Sequence, residues 1–386
     1  MNTFLDIAGE TLNKKGEELC GDAFKAVRLA DRSIVVLADG MGSGVKANIL
    51  ATLTTEIVLA MSKMDRPLGE IIETIAGTLP VSADRKIAYA TFTIVEVRHS
   101  DWSFSIVNYD NPRPFFFRSG RLAAVETDVR DERGKRIEFQ QGTFLPGDFL
   151  GVMTDGLIHA GPGLLVNLQA DWEFMGHYIE KMLVRLPNLT RSIVHNVMRE
   201  TRSLYGNGAG DDATFIGIHL RNRNSLMVFT GPPTDPADDE ACARKLLDFD
   251  GAKVICGGTT GTIVANYLGE PIRTDASTER KDIPPIADIR GIDLVTEGIY
   301  TLAGALEYLK ACGGDPFRLP GDRNGAILLA SELLRADFTR FLVGQAVNPS
   351  YQNPLLPKNI SIRRSLVDEL AKFLREINKE VVVEYR

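Results

Sequence analysis

Histidine and cysteine are scarce in this sequence, and the few present are poorly placed for chemistry. The 386 residues include five histidines and four cysteines. Cys20, Cys242, Cys256 and Cys312 form no Cys-x-x-Cys pair. That argues against a zinc cage or a disulfide framework and for reduced thiols. His99, His159, His177, His195 and His219 all lie in the first part of the chain, and none pairs at metal-ligand spacing, so a histidine-based metal site has little support. His177 and His195 read as ordinary polar positions on helices. There is no G-x-S-x-G elbow for a serine hydrolase, no G-x-G-x-x-G and no P-loop lysine. Positive charge is not in excess either: 44 Lys and Arg face 51 Asp and Glu, for a net charge of −7. That argues against nucleic acid as a partner. The most apolar long segment, GVKANILATLTTEIVLAMSK, carries Lys46 and Glu56 and is too polar for a membrane span. The start, MNTFLDIAGE, lacks the basic and apolar regions of a signal peptide. The expectation is a soluble, cytoplasmic protein with no membrane partner.

The length and a hydrophobic content of 44% fit two domains with cores of their own. In the first part, SIVVLAD reads as a buried strand. Helical spacing follows in Ile49, Leu50, Leu53, Ile57, Val58 and Met61, and again in Leu68, Ile71, Ile72 and Ile75. KIAYATFTIVEV, DWSFSIVNY, NPRPFFFRSG and RLAAVET are β-rich. A helical region is expected over roughly 169 to 204, before the closing strand DDATFIGIHL. The polar cluster RNRNS at 221–225 reads as a linker between domains at 1–220 and 226–386. Beyond it strands and helices alternate. SLMVFTG, AKVICGG, TRFLVG and EVVVEY are strands. DEACARKLLDF, TTGTIVANYLG, YTLAGALEYLKA, GAILLASELLRA and RRSLVDELAKFLREI are helices. This pattern predicts an α/β domain with a largely parallel sheet.

Acidic residues carry the first part's chemistry. Asp39 in VVLADGMGSG, Asp155 in GVMTDGL and Asp211 in GNGAGDDATF each follow a strand-like run and adjoin a turn or small residue. Asp22 in LCGDAF has a similar setting. A single Asp-Gly usually marks only a turn, but three such sites beside strands point further. Carboxylates converging at strand ends repel one another unless a cation lies between them. Mg²⁺ and Mn²⁺ prefer such hard oxygen donors. Glycines 40, 42 and 44 would let backbone approach a metal or phosphate closely. Asp212, directly after Asp211, is expected on the opposite face of a strand and in a lesser role.

CGDAF, VVLADGMGSGVKA, YATFTIVEV, VNYDNPRPFFFRSG, GDFLGVMTDGL and GDDATFIGIHL, in this order over about residues 5 to 220, resemble the metal-dependent protein phosphatases (PPM), in the branch of SpoIIE and the RsbU-type regulators. The resemblance implies an α-β-β-α architecture, a β-sandwich flanked by helices, followed here by the second α/β domain. It implies a bacterial protein serine/threonine phosphatase that hydrolyses phosphoserine and phosphothreonine by a metal-activated water. By resemblance, Asp39 bridges two Mn²⁺ or Mg²⁺ ions, the Gly40 carbonyl serves the second, Asp155 and Asp211 hold the first, and Asp22 lies beside the second. Asp39, Asp155 and Asp211 are then the catalytic set. The wider family commonly has Glu before the Asp22 position; Gly21 here implies a loosely held second ion. The substrate implied is a phosphoprotein such as an anti-sigma-factor-antagonist-like regulator in a partner-switching circuit, and a homodimer is compatible. Residues 45 to 78 are expected either to act as a switch completing the second metal site or to be ordinary packed helices.

In the second domain, VICGGTTGTIVANYLG places Gly257, Gly258, Thr259 and Thr260 between a strand and a helix. Such a turn either binds an anion at the helix N-terminus or merely turns and caps the helix. TGPP and NPSYQNP read as loops. The domain reads as a regulatory, ligand-sensing or partner-docking unit, with an enzyme acting on a phosphorylated small molecule as a weaker alternative. The rival to the phosphatase reading is a non-catalytic phosphatase-fold sensor or scaffold.

Overall fold

A computed structural model describes residues 3–78, 90–132, 135–161, 171–206, 208–280, 283–346, 362–377 and 379–386. The loop NPSYQNP at 348–354 lies outside the described residues, as do the expected starts of two elements at 86–89 and 169–170. Two compact units divide the chain, Met1–Asn222 and Arg223–Arg386.

The N-terminal unit begins with strands β1 (Thr3–Leu12), β2 (Asp22–Arg28) and β3 (Arg32–Gly40), then helices α1 (Gly44–Lys63) and α2 (Leu68–Thr78). Strands β4 (Ala90–Arg98), β5 (Ser103–Tyr109), β6 (Phe115–Arg118), β7 (Arg121–Ala123), β8 (Thr127–Glu132), β9 (Lys135–Thr143) and β10 (Phe149–Met153) follow. A short helix α3 (Asp155–Ile158), helices α4 (Trp172–Arg185) and α5 (Thr190–Tyr205) and strand β11 (Ala213–Asn222) complete it. One sheet has the order β1-β11-β10-β6-β7 and the other β2-β3-β4-β5-β9-β8. The expected helical region at 169–204 is two helices, parted at Leu186–Leu189 around Pro187, whose ring and missing N–H cannot continue a helix.

Strand alternation builds the layers. Val35, Leu37, Val95 and Val97 of one sheet share a core with Leu150, Val152, Ile216 and Ile218 of the other. The intervening residues Ile34, Val36, Ala38, Phe92 and Ile94 face outward against Ala51, Val58 and Leu59 of α1 and Ile71, Ile72 and Ile75 of α2. On the far side, Phe149, Phe215 and Met153 pack against Ile179 of α4 and Val194 and Val197 of α5. This is the PPM-like sandwich, helices over sheet over sheet over helices. Helix α1 alone, among the described residues, is long and apolar enough to cross a membrane by length and composition. Here its small residues Gly44, Ala47, Ala51, Thr54 and Thr55 are buried, and it packs against β2 and β3.

The second unit is a separate α/β domain. Its elements are β12 (Ser225–Thr230), α6 (Asp239–Leu247), β13 (Ala252–Cys256), α7 (Gly258–Leu268), β14 (Arg273–Asp275), β15 (Ile286–Asp288), β16 (Leu294–Thr296), α8 (Ile299–Cys312), α9 (Gly325–Arg335), β17 (Phe338–Val343), α10 (Ile362–Glu376) and β18 (Glu380–Tyr385). Strands β16, β13, β12, β17 and β18 are parallel, and β15 and β14 extend the sheet antiparallel. The three-residue strands β14 to β16 are too short to show periodicity. Most of RNRNS is strand: β11 runs to Asn222 and β12 starts at Ser225. The four cysteines are unpaired.

Candidate metal centre

The inter-sheet core turns polar at one end of the sandwich. Asp39 shares parity with Val35 and Leu37, so it emerges where that inward face ends. Asp22 is its cross-strand partner on β2. Thr154 continues the parity of Leu150 and Val152, and Thr214 that of Ile216 and Ile218. Both hydroxyls donate to Asp22 Oδ2, Thr154 at 2.8 Å and Thr214 at 2.7 Å. The Thr214 backbone N–H donates to Thr154 Oγ1 at 2.9 Å. Asp22 is thus fixed by groups from the opposite sheet. Its other oxygen, Oδ1, is buried without a hydrogen-bond partner. A buried lone carboxylate oxygen is costly unless something electropositive completes it.

Asp155 does not close a strand. It is the first residue of α3, after Thr154 as N-cap. The turn is tight: a Cβ on Gly156 would overlap the Asp212 carbonyl, and Tyr205 Oη donates to the Gly156 carbonyl at 2.7 Å. Asp211 and Asp212 precede β11, which starts at Ala213. Strand alternation therefore does not separate them, contrary to the expectation for Asp212. Asp211 is half-exposed, with Lys14 Nζ 3.7 Å away. Asp212 is buried and accepts the Lys14 backbone N–H at 2.9 Å.

These acids feel one another. Burial, with Asp22, Asp155, Asp211 and Asp212 adding repulsion, pushes the Asp39 carboxyl up to about 8. Burial pushes Asp22 up to about 7, against the two threonine hydrogen bonds and with Asp212 and Asp155 adding to the rise. Asp155 is raised by burial and by Asp211. Even Tyr205 is raised to about 12, by burial first and then by the same acids. The site is a focus of mutually repelling carboxyl groups and hard oxygen donors, which is what a divalent cation needs. Among the described residues no group of three or more Asp, Glu, His or Cys side chains is drawn together tightly enough to ligate one ion as it stands. The fit is in donor chemistry, in the orphaned Asp22 oxygen and in the field.

Glycine has a steric role at two positions here. A Cβ on Gly40 would overlap the Ala47 carbonyl of α1. The Gly40 N–H donates to the Gly21 carbonyl at 3.1 Å. At Gly21, a Cβ would lie 2.9 Å from Asp212 Oδ2 and 3.0 Å from the Ala47 Cβ. The space that a glutamate at position 21 would enter is filled by Asp212 and by α1. Glu17 also belongs to the surroundings: it accepts from Ser43 Oγ at 2.9 Å and lies against Gly44, whose φ is +66°. Sequence reasoning missed Thr154, Thr214 and Glu17, and it gave Asp212 a lesser role on the opposite face of a strand. Only the two threonines carried a signal, their inward parity.

In the second unit, Gly257 caps α7 at its N-terminus with φ +135°, and Gly258 and Thr259 are exposed in the first turn. These residues are remote in sequence from the acids and belong to a different sheet.

Residues 30–221 match the family model described as Stage II sporulation protein E (SpoIIE). No curated protein matches the chain. Among solved structures, the phosphatase domain with a fragment of the regulatory domain of SpoIIE from Bacillus subtilis is 18% identical, covers 57% of this chain and aligns with a TM-score of 0.49. The alignment spans 65% of that chain, just under two thirds of it. The RsbU and RsbW domains of a Mycobacterium tuberculosis protein are 18% identical over 63% of this chain and 68% of that one, with a TM-score of 0.49. The SiaA-PP2C domain of Pseudomonas aeruginosa is 16% identical over 55% of this chain and 85% of that one, at 0.44.

Proposed function

Given that the N-terminal unit belongs to the SpoIIE/RsbU-like branch of the metal-dependent protein phosphatases, we propose that this chain is a protein serine/threonine phosphatase dependent on Mn²⁺ or Mg²⁺. The observation that carries the proposal is the convergence of Asp22, Asp39, Asp155, Asp211 and Asp212 at one end of the sandwich, with Asp39 and Asp22 held far above the ordinary carboxylate range. Asp39, Asp155 and Asp211, with the Gly40 carbonyl, are assigned to hold the ions, and Asp22 lies beside the second position. When bound, such ions supply a water acidified toward neutrality and charge neutralisation for the phosphoryl oxygens. The chain's own part is positional. Thr154 and Thr214 lock Asp22, the β2–β3 pairing sets Asp39 against it, and the α3 turn presents Asp155. Rigid strand ends hold such a set better than loops.

The substrate assigned is a phosphorylated regulatory protein of a bacterial partner-switching circuit, acted on in the cytoplasm, where unpaired cysteines stay reduced. Helix α1 is placed to modulate the site, because Ala47 lies against both Gly40 and Gly21. A shift of α1 would move the backbone on either side of Asp39. The rival reading, a phosphatase-fold scaffold without activity, has on its side that no three of these acidic side chains among the described residues are drawn together tightly enough to hold an ion. The test is hydrolysis of p-nitrophenyl phosphate and of a phosphoserine peptide by the full chain. Turnover is expected with Mn²⁺ or Mg²⁺ and none with EDTA. Absence of turnover with every divalent ion would favour the scaffold.

A further inference from the structure

The second unit carries a site of its own. Its five parallel strands β12, β13, β16, β17 and β18 lie in the spatial order third, second, first, fourth, fifth of their sequence order. The winding reverses between β12 and β17, and ligands of open α/β sheets bind outside the carboxyl ends at such a reversal. Here those ends are level. Thr230 registers with Cys256 on one side and Val343 on the other, and Cys256 with Thr296. Each of the three central ends is followed by glycine: Gly231, Gly257 and Gly344. Gly231 and Gly257 have φ of +80° and +135°.

Three polar features converge on this edge. First, Arg363, in the first turn of α10, packs its guanidinium against Gly231, where a Cβ would overlap Nη1. Nη1 donates to the Gly344 carbonyl at 3.3 Å. Nε is buried without a partner. Among the described residues no carboxylate pairs with Arg363, and burial is the single influence on its charge, pulling its pKa down. The segment 347–361 contains no Asp or Glu. Second, the Gly258 and Thr259 amides open α7 in exposed positions. Third, the Thr230 and Thr260 side chains are fully buried with unpartnered hydroxyls. Thr260 Oγ1 is turned toward Gly257, 3.1 Å from where a Cβ would stand. Arg363 is half-buried with a buried, unpartnered Nε and no carboxylate on it among the described residues; an anion would complete it, and guanidinium and helix N-termini both select phosphate. Glu297, after β16, flanks Gly258. A carboxylate there repels an anion but accepts hydrogen bonds from hydroxyls, as acidic residues do toward ribose.

We propose that the carboxyl edge of the C-terminal sheet binds a nucleoside diphosphate or triphosphate, with Arg363 and the first turn of α7 taking the phosphates and Glu297 a sugar hydroxyl. Neighbouring strands are about 4.8 Å apart, so a group longer than a single phosphate is needed to bridge the ends of β12 and β13. The turn lacks a G-x-G-x-x-G fingerprint, and its glycines follow the second strand rather than the first.

Calorimetric titration of the full chain with ADP, ATP and adenosine, in EDTA to remove metal from the N-terminal unit, tests this. ADP and ATP are expected to bind and adenosine to bind at least about tenfold more weakly. Arg363→Gln is expected to weaken ADP at least about tenfold, and it leaves no buried acid unpaired. Thr259→Asp places an acid where a helix N-terminus favours one, so it folds at least as well while repelling phosphate to a similar extent. Asp39→Asn should bind ADP as wild type does. Absence of ADP and ATP binding, equal binding of adenosine, or binding unchanged in both C-terminal variants overturns the proposal. Loss of binding in Asp39→Asn assigns the nucleotide to the N-terminal unit and overturns it equally.

Discussion

Asp39→Asn is expected to lower Mn²⁺-dependent phosphatase activity by about a thousandfold, with the fold intact. The side chain keeps its size and its place opposite Asp22, but it loses the carboxylate charge that a bound cation would meet. Several kcal/mol of charge stabilisation ride on a metal pair, and each 1.36 kcal/mol is about tenfold in rate. The effect should appear in kcat rather than in KM, since the lost interaction concerns the reacting phosphoryl group rather than the protein substrate's docking surface. Asp211→Asn should act in the same direction but less, because Asp211 is half-exposed and lies 3.7 Å from Lys14 Nζ. Steady-state kinetics of both variants against wild type, at saturating Mn²⁺, provide the check. Equal kcat in wild type and Asp39→Asn would remove Asp39 from the reaction.

The second large effect is on stability: it falls with pH, and metal opposes the fall. Asp39 and Asp22 have folded-state values of about 8 and about 7, above the unfolded value of about 3.9. A raised pKa means that the protonated, folded form is favoured. Without metal, the stability these groups contribute is fully present below about pH 4 and is lost as pH rises through 7 and 8. Metal-free protein should therefore weaken between pH 5.5 and 8.5, by roughly 5 kcal/mol. Asp39→Asn should flatten that slope. With Mn²⁺ the loss shrinks, because the ion competes with protons for the same oxygens and binds most tightly where they are ionised. At a hundred times its dissociation constant the ion adds about 2.7 kcal/mol. Urea unfolding followed by tryptophan fluorescence reads this unit alone, since the two tryptophans of the chain, Trp102 and Trp172, both lie in it. A metal-free stability that rises with pH over this range would contradict the assignment.

How much of this was legible from sequence differs from residue to residue. Asp39 was legible because an acid ending a buried strand is chemically anomalous, and SIVVLAD has the composition of such a strand. The hydrogen bonds that hold Asp22 were not legible: Thr154 and Thr214 reach it across 132 and 192 residues, a proximity only the sandwich creates. Asp212 was misplaced because β11 begins at Ala213, two residues later than expected, which moves Asp212 from strand to turn, and face assignment by alternation fails outside the strand. The split of α4 from α5 was written in Pro187 but lay hidden within a continuous amphipathic pattern. In the second unit the parallel character followed from alternating strands and helices. The strand order did not, because β16 offers three residues of signal. Without that order the level strand ends and the place of Arg363 beside Gly231 have no sequence signature.

The account rests on the acid cluster being a metal centre. The most direct measurement is anomalous diffraction at the manganese edge from crystals grown with Mn²⁺. The account predicts a peak in contact with Asp39 and bounded by Asp155 and Asp211, with a weaker second peak on the Asp22 side. Manganese bound elsewhere, or no peak beside Asp39 at saturating Mn²⁺, would contradict it.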